Sequence, residues 1–197
     1  MRTFIAVEFP EPLRRELVAL RQKLADCLAE AQMDAALRWS SADNYHLTLY
    51  FLGETSADQR EAMSQGLADL CITLPPISLR LEGIGAFSNW QKMQVLWVGI
   101  EGELDRLSRL HSGVETVVTG CGFVPEGRRF HPHVTLARAS REAESRLLAQ
   151  AGALLAAQTA LARSLGQWTV SEVVLMRSDP HPGGSVYTPL GRLPLGG

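Results

Sequence analysis

Cysteine is scarce: Cys27, Cys71 and Cys121 form an odd set with no C-x-x-C spacing. That excludes a disulfide scaffold and a cysteine-only zinc site, and leaves three small apolar side chains suited to a reducing compartment. Charge of one sign is lacking as well. The 19 Lys and Arg stand against 21 Asp and Glu, a net charge of -2, so the chain does not coat long nucleic acid by bulk positive charge. Long hydrophobic runs are missing. The most apolar stretch, residues 151–157, falls far short of the ~20 residues that cross a bilayer. The opening, Met1-Arg2-Thr3-Phe4-Ile5-Ala6-Val7-Glu8-Phe9-Pro10, is interrupted too soon for a signal peptide. A soluble, cytoplasmic protein with no membrane attachment is expected. With 46% hydrophobic and 20% charged residues and no low-complexity linker, the chain has the composition of a folded domain.

Residues 3–9 alternate between two faces and are rich in β-formers, which predicts a strand. Glu11 and Pro12 open a helix with Leu13, Leu17, Leu20, Leu24 and Leu28 on one stripe. An extended segment around Trp39 leads to a strand over 45–52, closed by Gly53. Ser56 reads as the N-cap of a helix that turns Met63, Leu67 and Leu70 inward, and Pro75-Pro76 ends it. Extended segments follow at about 77–84 and 94–100, around a loop with Gly85, Ser88, Asn89 and Trp90. The order then repeats. A helix over about 103–119 carries Leu104, Leu107, Leu110 (or His111), Val114 and Val117, and Gly120, Gly122, Pro125 and Gly127 break the chain. A strand is predicted over about 129–138, then a helix capped by Ser140 with Leu147, Leu148, Ala151, Leu154 and Leu155 inside. Extended segments at about 168–176 and 185–190 close the chain around a turn at Pro180, Pro182, Gly183 and Gly184. Each half runs helix, strand, helix, strand, strand, with an extra N-terminal strand. That is a duplication of elements rather than of sequence. Two α+β lobes packed face to face as one compact domain, residues 1–197, is the predicted architecture.

Each half holds one histidine motif inside a strand: His46-Leu47-Thr48-Leu49 and His133-Val134-Thr135-Leu136. They stand 87 residues apart (133 − 46), the period of the duplication. Residues i and i+2 share a strand face. His46 therefore goes with Thr48 and His133 with Thr135, while Leu47, Leu49, Phe51, Val134 and Leu136 turn to the core. One such match arises by chance on the order of once per 80 histidines; two at equivalent places are far rarer. The competing reading, two buried histidines satisfied by neighbouring threonines, is the weaker one. Histidine titrates near neutrality, so one imidazole can be neutral while the other is protonated. The neutral ring takes a proton from attacking water and the charged ring gives one to a departing alkoxide. The two hydroxyls donate to the non-bridging phosphoryl oxygens, where charge must be held. This chemistry is phosphoryl transfer with no metal and no cofactor.

The paired motifs resemble those of the two-histidine phosphoesterase superfamily. Flanking segments resemble its bacterial RNA 2′,3′-cyclic phosphodiesterase branch, also called 2′-5′ RNA ligase-like. These are residues 1–7, HLTLYFLG over 46–53, FHPHVTLAR over 130–138, and the tail with Leu175-Met176-Arg177-Ser178 and Gly183-Gly184-Ser185-Val186-Tyr187. The resemblance implies a duplicated bilobal α+β fold: two antiparallel-rich sheets facing a central cleft, helices packed outside, and one H-x-T-x strand from each lobe. It implies hydrolysis of a terminal 2′,3′-cyclic phosphate to a 2′-phosphomonoester, with His46 as proton donor and His133 as proton acceptor. RNA 3′ ends or oligonucleotides bearing that phosphate are the expected partners of a monomer. The alternatives are 2′-5′ ligation, a small cyclic-nucleotide phosphodiesterase, or a non-catalytic nucleotide-binding module. Three further residues are candidate substrate contacts. Tyr50, in phase with His46 and Thr48, is placed to stack on a base. His131 shares the face of His133 at the cleft rim. Arg138 lies out of phase at the strand end, where twist brings it toward phosphate. Arg128 and Arg129 are read as loop residues able to guide an RNA end, and His111 and His181 as incidental. His131 and His133 suit zinc by spacing, but neither motif carries an acidic or cysteine ligand, so no metal site is expected.

Overall fold

The computed structural model describes residues 1–127, 129–181 and 184–196. Nine strands and four helices are assigned among them: β1 (Arg2–Glu8), α1 (Glu11–Glu30), β2 (Leu37–Trp39), β3 (His46–Glu54), α2 (Ala57–Cys71), β4 (Ile77–Phe87), β5 (Val95–Gly102), α3 (Leu104–Gly120), β6 (His133–Ala139), α4 (Ser145–Ala156), β7 (Gly166–Val170), β8 (Glu172–His181) and β9 (Gly184–Pro194). A four-stranded sheet has the order β3-β1-β8-β9 and a five-stranded sheet the order β2-β6-β5-β4-β7. Every strand pair is antiparallel. The fold is α+β.

Local chemistry accounts for two of the four helix starts. Pro12 enters the first turn of α1, and all five leucines of its stripe are buried. Ser56 and Gln59 form a reciprocal capping box at α2. The cap predicted at Ser140 is not used: α4 begins at Ser145 with Glu144 before it. Ser140 stays tied to the sheet edge instead, its N–H donating to the Ala36 carbonyl and its hydroxyl to Glu142. On α3, Leu104 is 37% exposed, because it lies at the very first turn, and Val118 rather than Val117 is buried. On α2, Cys71 is buried and Leu70 half-buried, at the contact with Gly113 of α3.

The predicted repeat holds in kind but not in frame. The repeating unit is strand-helix-strand-helix, β1-α1-β3-α2 and then β5-α3-β6-α4. The N-terminal strand is thus the first member of the repeat rather than an extra. Nor is either sheet made from one half of the chain. β8 and β9 from the end of the chain complete the sheet of β1 and β3, while β4 and β5 carry β6. The extended segment expected over 168–176 is two strands in different sheets, with the crossing at Ser171. Helices α2 and α3 pack together and reach the four-stranded sheet; α1 packs against α4 and β7. Gly152 of α4 lies so close to the Trp90 carbonyl that a Cβ there would sit 1.7 Å from its oxygen. The main core fills the space between sheets and helices, and a small second cluster of Phe4, Ala6, Val174 and Met176, with Tyr187, occupies the other face of the four-stranded sheet. No helix among the described residues is long and apolar enough to cross a membrane.

Candidate active site

His46 opens β3, opposite Glu8 of β1, and Thr48 follows opposite Ala6. The His46 ring is half-buried against Phe4 (centroids 4.8 Å apart) and meets the Tyr187 ring edge-on at 5.2 Å. Its Nδ1–H donates to the Asn44 carbonyl at 2.8 Å. The Asn44 side-chain amide donates in turn to the Ser185 carbonyl of β9 at 2.8 Å. A carbonyl accepts only, so Nδ1 carries the proton and Nε2 is left for chemistry. Burial pushes the imidazole pKa down to about 4, against a smaller upward pull from the Asn44 carbonyl; protonation of His133 pushes it down further.

His133 opens β6 in the same way, opposite Gly99, with Thr135 opposite Trp97. Its Nδ1–H donates to the His131 carbonyl at 2.7 Å, so both imidazoles are oriented by the carbonyl two residues back. Phe87 meets the His133 ring edge-on at 4.7 Å. The His131 ring packs at 4.8 Å from Trp97 and 5.4 Å from Phe87. Gly85 of β4 leaves room for the Trp97 indole; a Cβ there would lie 2.2 Å from its ring. Burial holds the His133 pKa below the ordinary imidazole value, offset by the His131 carbonyl and lowered again by the charges of His131 and Arg138.

Both motif strands carry a bulge at the same place. The pairing of β1 with β3 slips between Ile5 and Ala6, so that Leu49 has no partner; that of β5 with β6 slips between Leu96 and Trp97, opposite Leu136. One extra residue reverses the alternation beyond it. Tyr50 therefore does not share the face of His46 and Thr48. It is 2% exposed in the main core, its hydroxyl donating to the Val124 carbonyl at 2.8 Å, and it has no surface to offer a base. Phe51, expected in the core, is instead 49% exposed and stacks on Phe4 at 5.9 Å, beside His46. In β6 the same reversal brings Arg138 into phase with His133 and Thr135, by a bulge rather than by twist. Phe51 and Arg138 each stand five residues after their histidine, an equivalence visible once the two halves are laid over each other.

A cavity of about 620 Å³ joins the two motifs, lined by Thr48 from one sheet and by His131, His133, Thr135 and Arg138 from the other. Arg129 also lines it, whereas Arg128, Pro182 and Gly183 lie outside the described residues. His111 is buried on α3 and stacks on Phe130 at 4.0 Å, and His181 is exposed at the end of β8. Among the described residues no three His, Cys, Asp or Glu side chains converge as metal ligands.

The chain as a whole has counterparts among known proteins. The model of the 2′-5′ RNA ligase superfamily matches residues 9–182. The chain belongs to this superfamily. An RNA 2′,3′-cyclic phosphodiesterase of Methanothermobacter thermautotrophicus is 29% identical over 189 residues, 95% of either chain. One from Escherichia coli is 33% identical over 142 residues, 72% of this chain and 74% of that one. The crystal structure of E. coli LigT complexed with 3′-AMP superimposes with a TM-score of 0.74 at 28% identity, covering 98% of this chain and 97% of that one.

Proposed function

We propose that the chain is a hydrolase that opens the 2′,3′-cyclic phosphate at an RNA 3′ end to a 2′-phosphomonoester, with His46 as general acid and His133 as general base. The observation that carries this reading is the pairing itself. Each sheet contributes one imidazole with Nδ1 committed to a carbonyl and one threonine on the same strand face. His133 Nε2 takes a proton from water as the water oxygen bonds to phosphorus. The P–O3′ bond breaks, and His46 gives its Nε2 proton to the leaving 3′ oxygen. Thr48, Thr135 and Arg138 hold the non-bridging oxygens through the transition state. No metal or cofactor takes part.

The roles are those that the motif resemblance implies, and the charge nearest His133 is in keeping with them. Arg138 lies on the His133 side, where its charge disfavours the imidazolium and keeps that ring a base. A bound phosphate anion raises the His46 pKa from its low resting value and makes it an acid where it is needed. The exposed Phe51 ring supplies the stacking face that the sequence suggested for Tyr50. The enzyme acts as a monomer in the cytoplasm, residues 1–197 forming one unit of two lobes.

Replacing either histidine tests this reading. His46→Ala and His133→Ala are each expected to lower kcat on an oligonucleotide 2′,3′-cyclic phosphate by ~10²–10⁴-fold. A substrate with an activated leaving group rescues His46→Ala far better than His133→Ala. Rescue of His133→Ala alone would reverse the roles, and full activity in both variants would end the proposal.

A further inference from the structure

Strand β2 is three residues long and pairs only with β6, setting Leu37 opposite Ala139, Arg38 opposite Arg138 and Trp39 opposite Ala137. Directly opposed residues of antiparallel strands point to the same face. Leu37 and Ala137 are buried in the main core and Trp39 packs against it, so those pairs face the helices. Arg38 and Arg138 therefore share the opposite face, the one that carries His133 and Thr135.

Like charges set directly opposite destabilise a sheet unless something lies between them. Neither arginine makes an ion pair within 4.0 Å among the described residues. Two carboxylates are near. Glu142 has its carboxylate held by the Ser140 hydroxyl at 2.9 Å and feels the charge of Arg38. Glu126 lines the cavity and accepts from the Phe51 N–H at 3.3 Å. Both have another partner, and both arginines are exposed. The arrangement suits a chain of anions crossing this edge. Arg138 lines the reaction cavity and serves the reacting phosphate, while Arg38 stands one strand farther out, about 5 Å away in backbone spacing.

We propose that Arg38 and Arg138 form a two-guanidinium clamp in which Arg138 faces the cyclic phosphate and Arg38 takes the internucleotide phosphate 5′ to it, so that the site selects an oligoribonucleotide end over a nucleoside 2′,3′-cyclic monophosphate. This rests on the cyclic phosphodiesterase reading. Arg38 is a specificity residue: it touches the RNA backbone and not the reacting bonds.

The test compares wild type, Arg38→Gln and Arg38→Lys on three substrates: a nucleoside 2′,3′-cyclic monophosphate, a trinucleotide ending in the cyclic phosphate, and the same trinucleotide with an uncharged methylphosphonate at its last linkage. Wild type is expected to prefer the charged trinucleotide through KM. Arg38→Gln cuts that preference by about tenfold and Arg38→Lys restores part of it. The methylphosphonate costs wild type a similar factor and Arg38→Gln nothing further. The log–log salt dependence of trinucleotide binding becomes shallower by about 0.7 in Arg38→Gln, as for one lost single-strand phosphate contact. An unchanged preference, or an equal loss on all three substrates in folded protein, would overturn the clamp. If wild type turns over none of them, the phosphodiesterase reading fails instead. Calorimetric binding of the trinucleotide 2′-phosphate then decides the clamp alone, tenfold weaker in Arg38→Gln or not.

Discussion

The His46 imidazole, the proposed proton donor, is held at a pKa of about 4 in the free protein. His133 is lowered too, so both rings are neutral at rest near pH 7. The reactive form, His46 charged and His133 neutral, is then a minority that shrinks about tenfold for each pH unit above the pair's upper pKa. That pKa lies below the ordinary imidazole value of about 6.5. The expected kcat/KM is therefore highest on the acid side of neutrality and falls toward tenfold per unit between pH 7 and 8.5. The limb in kcat lies at higher pH, because bound phosphate stabilises the charged ring. A kcat/KM that rises through this range, measured on a substrate whose charge is constant, would show that His46 is not the acid. The threonines are tested separately. Thr48→Val and Thr135→Val keep a β-branched side chain on a strand but remove a donor to charge that grows in the transition state. Each is expected to lower kcat by on the order of 10–10³-fold, a loss of ~1.5–4 kcal/mol, with little change in affinity for the 2′-phosphate product. Full turnover in either variant, with unfolding curves matching wild type, would leave that hydroxyl a structural group.

At the scale of elements, the two motif strands and the leucine stripe of α1 were legible because each has a clean period and a local start signal. The bulges were not. A β-bulge comes from pairing with a neighbour, β1 or β5, and nothing in HLTLYFLG or HVTLAR marks Leu49 or Leu136 as the extra residue. The consequence is chemical: strict alternation put Tyr50 in the cleft and Phe51 in the core, and the fold does the reverse. The same slip gave Arg138 its place on the His133 face. The strand expected to start near 129 starts at His133, since Pro132 has no N–H to give a ladder and Phe130 is held by His111. The change of sheet at Ser171 was hidden for a similar reason. WTVSEVVLM reads as one extended run, and only tertiary pairing shows that its two ends serve different sheets.

In the whole molecule, strands exchanged between the halves complete the sheet that carries His46, while His133 stands on β6 of the other sheet. β3 is held at the sheet edge by β1, whose other neighbour, β8, comes from the end of the chain. Asn44 reaches Ser185 of β9, 141 positions along the chain from it, so the orientation of His46 depends on the C-terminal strands. A pairing visible only as a spacing of 87 residues in the sequence becomes a cavity lined by Thr48 of one motif and by His133 and Thr135 of the other. This site is proposed to break the P–O3′ bond of a cyclic phosphate with water. Phosphorus NMR of the product from an oligonucleotide 2′,3′-cyclic phosphate, in the presence of excess EDTA, tests it most directly. A single 2′-phosphomonoester resonance with a free 3′-hydroxyl is expected. A 3′-phosphomonoester, or unchanged cyclic phosphate until zinc is restored, would contradict it.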